Sequence, residues 1–102
     1  PKLKPQLLIV DDDKNCLEAL QRSFASEKID VVLASSGSQA IDYCMENEFF
    51  LILLDVEMPI LNGFQVADRV MHEGKNSDTP IIFFTGLASF ASLIAAFSVA
   101  LQ

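Results

Sequence analysis

Residues 49–63 read FFLILLDVEMPILNG, an unbroken apolar run that ends in one aspartate and continues into a loop containing proline and glycine. A continuous apolar run of this length is typical of a strand that is buried on both faces of a sheet. Asn62 is a good N-terminal cap for a following helix, whose apolar positions are Phe64, Ala67, Val70 and Met71. We therefore predict a strand ending at Asp55, a loop, and a helix that stops near Gly74.

The same succession of strand and helix recurs on both sides of this stretch. Residues 6–10 (QLLIV) precede Leu17, Leu20 and Phe24 at helical spacing, and residues 29–34 (IDVVLA) precede a helix that opens at Gly37 with Ala40, Ile41, Cys44 and Met45 on one face. Residues 81–84 (IIFF) form the fourth predicted strand. This alternation predicts a doubly wound α/β domain with a parallel sheet covered on both faces. A chain of 102 residues has the usual size of one domain, so we assign residues 1–102 to it.

Charge and cysteine content narrow the choice of partners. The net charge of -7 argues against nucleic acid and anionic membrane, and favours cations or basic protein surfaces. The two cysteines, Cys16 and Cys44, have no metal-ligand spacing and are too few for a disulfide framework. With no secretory signal at its start, the chain is expected in the cytoplasm.

Residues 81–101 contain no charged side chain, and about 20 such residues can span a bilayer as a helix. Against a membrane span, the stretch begins as a strand after Pro80 and carries Thr85, Ser89 and Ser92. We predict a strand followed by a helix and no membrane contact. A surface helix without a charged face indicates a surface for a partner or for self-association.

Carboxylates follow two of the predicted strands. Asp11 and Asp12 follow the first strand and Asp55 ends the third, while Thr85 ends the fourth. In a parallel sheet these ends meet at one edge, where ligands bind. Clustered carboxylates raise one another's pKa unless a cation neutralises them, and hard oxygen ligands select Mg²⁺ or Mn²⁺. Because Mg²⁺ held by few carboxylates commonly also binds phosphate, the site predicts phosphoryl transfer.

Three motifs give the chain a family resemblance: LLIVDDD at residues 7–13, LLDVEMPILNG at residues 53–63, and PIIFFTG at residues 80–86. In sequence and separation they resemble the receiver domain of two-component response regulators, through almost the whole chain. The resemblance implies a flavodoxin-like topology and a signalling domain that is not an enzyme, although it assists its own phosphorylation and dephosphorylation.

The resemblance also implies roles for individual residues. Asp55 matches the phosphoacceptor, which takes a phosphoryl group from a histidine kinase or a histidine phosphotransfer protein. Asp12 matches a direct ligand of Mg²⁺, and Asp11 matches a ligand acting largely through water. Asp55 and the backbone carbonyl of Glu57 complete the implied ligand set, and Thr85 matches a switch hydroxyl that binds the new phosphoryl group.

The family pattern continues beyond what this sequence contains. A receiver has a fifth strand, which carries a lysine that binds the phosphoryl group, and then a last helix, whereas this sequence ends at Gln102. We therefore expect a receiver that is incomplete at its C-terminus. Its fourth strand would be an uncovered edge, which, with the fourth helix, invites self-association.

Two alternatives remain open on the sequence alone. A degenerate receiver would keep the fold and the acidic pocket as a protein-binding module that phosphate does not switch. A phosphohydrolase of the haloacid dehalogenase type would use Asp11 as its nucleophile in the pair Asp11-x-Asp13, but it gives no reason for Met58 and Pro59 after Asp55. We expect Asp13 to cap the first helix rather than to bind metal.

Overall fold

The computed structural model describes residues 4–86 and residue 98 of the chain. Strands and helices alternate through this part in the order β1 (Gln6–Val10), α1 (Lys14–Phe24), β2 (Asp30–Ala34), α2 (Gly37–Glu46), β3 (Leu51–Asp55), α3 (Gly63–His72) and β4 (Ile81–Phe84). The strands pair in parallel in the order β2-β1-β3-β4. The predicted doubly wound fold with flavodoxin-like topology is confirmed, while the predicted fourth helix lies outside the described residues.

Two apolar layers cover the sheet and explain its unbroken apolar runs. Leu8 and Val10 of β1 face the layer formed with α2 and α3, whereas Leu7 and Ile9 face the layer formed with α1. All four side chains are completely buried. Because β1 and β3 are buried on both faces, their carboxyl ends are held by the best-packed part of the molecule.

The buried faces of two helices differ from the predicted ones. The sequence pattern placed Met45 on the buried face of α2 and Phe64 and Met71 on that of α3, and these three assignments are wrong because the side chains are exposed. The buried positions are Gly37, Ala40, Ile41 and Cys44 in α2, and Gly63, Val66, Ala67 and Val70 in α3.

Two glycines are among the buried positions that the hydropathy pattern did not predict. A Cβ at Gly63 would meet the backbone carbonyl oxygen of Asp55 and would lie 2.9 Å from the Cα of Val56. A Cβ at Gly37 would lie 2.8 Å from side-chain atoms of both Leu61 and Val66. Each glycine therefore lets its helix approach closely, and a pattern based on hydropathy does not register that contact.

Side-chain caps fix where the helices start. The Asp13 carboxylate accepts hydrogen bonds from the backbone N–H groups of Asn15 (2.9 Å) and Cys16 (3.3 Å). At α3, Asn62 and Gln65 each accept a bond from the other's backbone N–H, at 2.9 Å in both cases. The predicted caps at Asp13 and Asn62 are confirmed, and each fixes the loop that leaves the carboxyl edge of the sheet.

Asn76, whose side chain is completely buried, stabilises the opposite, amino edge of the sheet. Its amide group donates hydrogen bonds to the backbone carbonyls of Cys44 and Asn47, both at 2.8 Å. Its side-chain oxygen accepts from the backbone N–H of Phe49 at 2.8 Å and from the Thr79 hydroxyl at 3.0 Å. One side chain thus ties the end of α2, the start of β3 and the loop before β4 together.

Among the described strands, β4 lies at one edge of the sheet and pairs only with β3. Its Ile82 and Phe83 side chains are exposed. An apolar edge of this kind is a template for pairing with another chain, so self-association through β4 stays a prediction. In the described part of the chain, no helix has the length and apolar character needed to cross a membrane.

The close contact at Gly63 generates a prediction. Gly63→Ala should lower the free energy of unfolding by roughly 1 to 3 kcal/mol, the usual cost of overpacking, because the added methyl group meets backbone atoms that cannot move aside. Urea unfolding followed by circular dichroism measures this change. Ser38→Ala, at an exposed position of α2, is the control and should change stability by less than about 0.5 kcal/mol. Equal stabilities of the two variants would contradict the prediction.

Candidate metal and phosphoryl site at the carboxyl edge of the sheet

The ends of β1 and β3 form an acidic cleft. Val10 and Leu54 are register partners, so Asp11 and Asp55, which follow them, lie side by side. The cleft has a volume of about 180 Å³ and is lined by Asp11, Asp12, Asp13, Cys16, Asp55, Glu57 and Gly86. Asp11, Asp12 and Asp55, which the sequence placed at this edge of the sheet, therefore line one cleft, whereas Thr85 is not among the lining residues.

Three carboxylates of the cleft are close enough to share one cation. One oxygen from each of Asp11, Asp12 and Asp55 lies within 4.8 Å of the others. Asp11 and Asp55 are 3% and 5% exposed, whereas Asp12 is exposed. An all-oxygen, negatively charged set of this kind fits a hard divalent cation such as Mg²⁺.

The environment of Asp55 disfavours its charged form. Burial is the main cause and the charge of Asp11 adds to it, so that the pKa of Asp55 is raised to about 7. The backbone N–H of Glu57 donates a hydrogen bond to the Asp55 carboxylate at 3.3 Å and offsets part of the rise. Without a cation, Asp55 is therefore partly protonated near neutral pH.

The three consecutive aspartates make different contacts. The backbone N–H of Asp13 donates a hydrogen bond to the Asp11 carboxylate at 2.9 Å, which fixes the orientation of Asp11. The Asp13 carboxylate is engaged as the cap of α1. Asp12 is exposed at the mouth of the cleft, so it is more accessible than Asp11, and unlike Asp13 it is not the cap of α1.

The other two predicted site residues lie at the same edge. Glu57 lines the cleft, two residues after Asp55. Thr85 follows β4 directly, and its neighbour Gly86 lines the cleft. The backbone N–H of Val56 donates a hydrogen bond to the backbone carbonyl of Phe84 at 3.0 Å. The chain segments that follow β3 and β4 therefore begin next to each other.

Cys16 also lines the cleft, and the sequence did not predict it as a site residue. Its side chain is buried, and its position in the wall of the cleft was not predicted. Burial, a hydrogen bond with Asp11 and the nearby carboxylates raise the pKa of the thiol to about 12, so it is neutral. The available signal was its place in the first turn of a helix that begins at the acidic cluster.

Comparison with known proteins decides the family. The family model described as the response regulator receiver domain matches residues 7–102. The chain is a member of the response regulator receiver domain family. The family resemblance seen in the sequence of this receiver domain is therefore confirmed.

Relatives with known names agree with this assignment. The transcriptional regulatory protein DltR of Streptococcus agalactiae is 38% identical over 80 residues, which cover 78% of this chain and 35% of DltR. The chain thus spans about a third of the length of that relative.

Two solved structures show the same architecture. The non-phosphorylated HemR receiver domain from Leptospira biflexa is 32% identical, with a TM-score of 0.71 over 93% of this chain and 75% of that one. The response regulator TrrA from Thermotoga maritima, solved in complex with Mg²⁺ and BeF, is 30% identical, with a TM-score of 0.72 over 85% and 80%.

The raised pKa of Asp55 predicts how the cation-free receiver responds to pH. The folded state binds this proton more tightly than the unfolded state, whose ordinary value is 3.8. The resulting stability is fully present below about pH 4 and is lost as pH rises through about 7. At pH 8 in a chelator, Asp55→Asn should therefore be more stable than the unsubstituted protein by roughly 1 to 3 kcal/mol. A pKa shift of this size corresponds to about 4 kcal/mol before solvent screening reduces it.

Urea unfolding at pH 5 and pH 8 in EDTA measures this difference. Asp13→Asn is the matched control, because asparagine caps a helix as well as aspartate and the exposed Asp13 carboxylate has no comparable burial. Its stability should keep the pH dependence of the unsubstituted protein. The same pH dependence in Asp55→Asn would show that Asp55 is not the group responsible.

Proposed function

We propose that this receiver domain takes a phosphoryl group onto Asp55 from a phosphohistidine on a partner histidine kinase or histidine phosphotransfer protein, in a Mg²⁺-dependent reaction. The observation that carries the proposal is the buried Asp55 carboxylate, which shares one cleft with the carboxylates of Asp11 and Asp12. Membership of the receiver family supports the same reaction.

The reaction exchanges one bond to phosphorus for another. A carboxylate oxygen of Asp55 forms a bond to phosphorus while the bond between phosphorus and the imidazole nitrogen breaks. The electron pair of the broken bond stays on the imidazole, and Asp55 becomes an acyl phosphate. Little covalent work falls to other side chains, so the remaining groups act by position and charge.

The residues that would hold the cation are the carboxylates of Asp11, Asp12 and Asp55 together with the backbone carbonyl of Glu57. Bound Mg²⁺, or Mn²⁺ in its place, would supply positive charge to the phosphoryl oxygens. The hydrogen bond from the Asp13 N–H holds Asp11 in place for this role. Asp12, exposed at the mouth of the cleft, is the carboxylate most accessible to an entering ion.

Asp55 must lose its proton before it can act as a nucleophile. With its pKa raised to about 7 by burial and by Asp11, the metal-free carboxylate is protonated in part of the molecules at neutral pH. Positive charge in the cleft favours the ionised form. The dependence on a divalent cation therefore follows in part from the residues that surround Asp55.

Thr85 is proposed as the switch. It directly follows the buried Phe84 at the carboxyl edge, which supports a role for its hydroxyl in hydrogen-bonding a phosphoryl group on Asp55. Movement of the chain after β4 would then report the modification to a partner or to a second copy of the chain. We propose a cytoplasmic signalling domain without enzymatic turnover, which contacts neither nucleic acid nor membrane.

One labelling experiment separates this function from its alternatives. The protein is incubated with Mg²⁺ and acetyl phosphate, the acyl phosphate is trapped by borohydride reduction, and the modified residue is located by mass spectrometry. We expect modification of Asp55, its loss in EDTA and its loss in Asp55→Asn. Asp30→Asn, which removes an exposed carboxylate at the amino edge of the sheet, is the control and should be labelled normally.

The other outcomes point to other functions. Modification of Asp11 would support the phosphohydrolase of the haloacid dehalogenase type. Absence of any modification in the folded, Mg²⁺-loaded protein would support the degenerate receiver, which binds partners without being switched by phosphate.

A further inference from the structure

The loop after Asp55 contains a strained residue. The backbone N–H of Leu61 donates a hydrogen bond to the carbonyl of Pro59 at 2.8 Å, and Ile60 between them has a φ of 70°. These are the features of the rare γ-turn whose central residue has positive φ. In the described part of the chain, Ile60 is the one residue other than glycine with positive φ. A β-branched side chain is poorly suited to that region.

The Ile60 side chain gains nothing from the fold. It is 96% exposed, whereas Met58 is buried and Leu61 packs against the core layer that contains it. Met58 and Leu61, on the two sides of Ile60 in the sequence, thus pack in or against the core, whereas Ile60 does not. Glycine would adopt the same backbone without strain and without exposing apolar surface. An outlier with no compensation inside the molecule points to a contact outside it.

Ile60 lies close to the phosphoacceptor. A hydrogen bond of 2.9 Å from the backbone N–H of Gly63 to the carbonyl of Val56 closes the loop next to Asp55. Ile60 lies four positions after Val56, so their Cα atoms are at most about 14 Å apart. One side of a standard protein interface covers about 800 Å², a disc of about 16 Å radius. An interface of that size over the cleft therefore has room to include Ile60.

We propose that Ile60 is an apolar anchor through which the phosphodonor protein docks on this receiver domain. The partner surface would present an apolar pocket for Ile60, flanked by basic side chains near its phosphohistidine. The basic character follows from the exposed carboxylates of Asp12, Asp13 and Glu57 around the cleft. A single exposed apolar side chain that becomes buried at an interface can carry much of the affinity. This inference rests on the proposed function, because it assumes that a protein donor reaches Asp55.

The test compares a protein donor with a small one. Ile60→Asn removes the apolar side chain, and asparagine tolerates positive φ, so the loop is retained. The donors are a panel of purified histidine kinases autophosphorylated with radiolabelled ATP, and acetyl phosphate serves as the donor without a docking surface. We expect the second-order rate constant for transfer from kinases active on the unsubstituted domain to fall about tenfold or more in Ile60→Asn. Labelling of Asp55 by acetyl phosphate should stay within about twofold, since the cleft itself is unchanged.

Two controls separate docking from folding. Ile60→Val keeps an apolar side chain and should retain most of the transfer rate. Met45→Asn removes an exposed apolar side chain from α2 beside Gly74, and it should leave transfer unchanged. The melting temperature of Ile60→Asn should equal or exceed that of the unsubstituted protein, because strain is relieved, whereas a purely structural role of Ile60 would lower it.

Several outcomes would overturn the proposal. Equal transfer rates in Ile60→Asn and the unsubstituted domain would do so, as would failure of every kinase to transfer while acetyl phosphate labels Asp55. A change in sedimentation behaviour without a change in transfer would assign Ile60 to contact with a second copy instead. Failure of the proposed function itself is distinct, because Asp55 would then stay unlabelled by acetyl phosphate.

Discussion

Mutual repulsion of the carboxylates at one edge of the sheet is the constraint on which the structure of the site depends. Asp11 and Asp55 follow adjacent, fully buried strands, so the packing of those strands forces them together and removes them from water. Hydrophobic burial along β1 and β3 supplies the free energy that holds the charges in place. The surrounding backbone N–H groups orient the carboxylates, but a positive charge or a proton is needed to neutralise them.

Much of this arrangement could be predicted from the sequence because it follows from topology. The alternation of apolar runs and helical patterns predicts a parallel sheet, and the carboxyl ends of parallel strands meet, so Asp11, Asp12 and Asp55 could be grouped without coordinates. The caps at Asp13 and Asn62 could be predicted because capping depends on local chemistry. The role of each carboxylate toward a cation stays a prediction.

What could not be predicted depends on contacts between segments distant in sequence. The close approach of neighbouring segments at Gly37 and Gly63 depends on the absence of a side chain, and hydropathy patterns give that property no weight. Cys16 lines the cleft from the first turn of α1, a position that the sequence indicates only once the site at the end of β1 is known. The positive φ of Ile60 is imposed by closure of the loop between Val56 and Gly63, and nothing in an isoleucine predicts it.

The buried hydrogen bonds of Asn76 give the sheet two unlike ends. At the amino edge, four satisfied bonds join three segments without any net charge. At the carboxyl edge, charges are crowded and the loops end in strained or exposed residues. The two edges therefore differ in kind, because satisfied hydrogen bonds between neutral groups hold the amino edge, whereas the arrangement of the carboxyl edge depends on how its charges are neutralised.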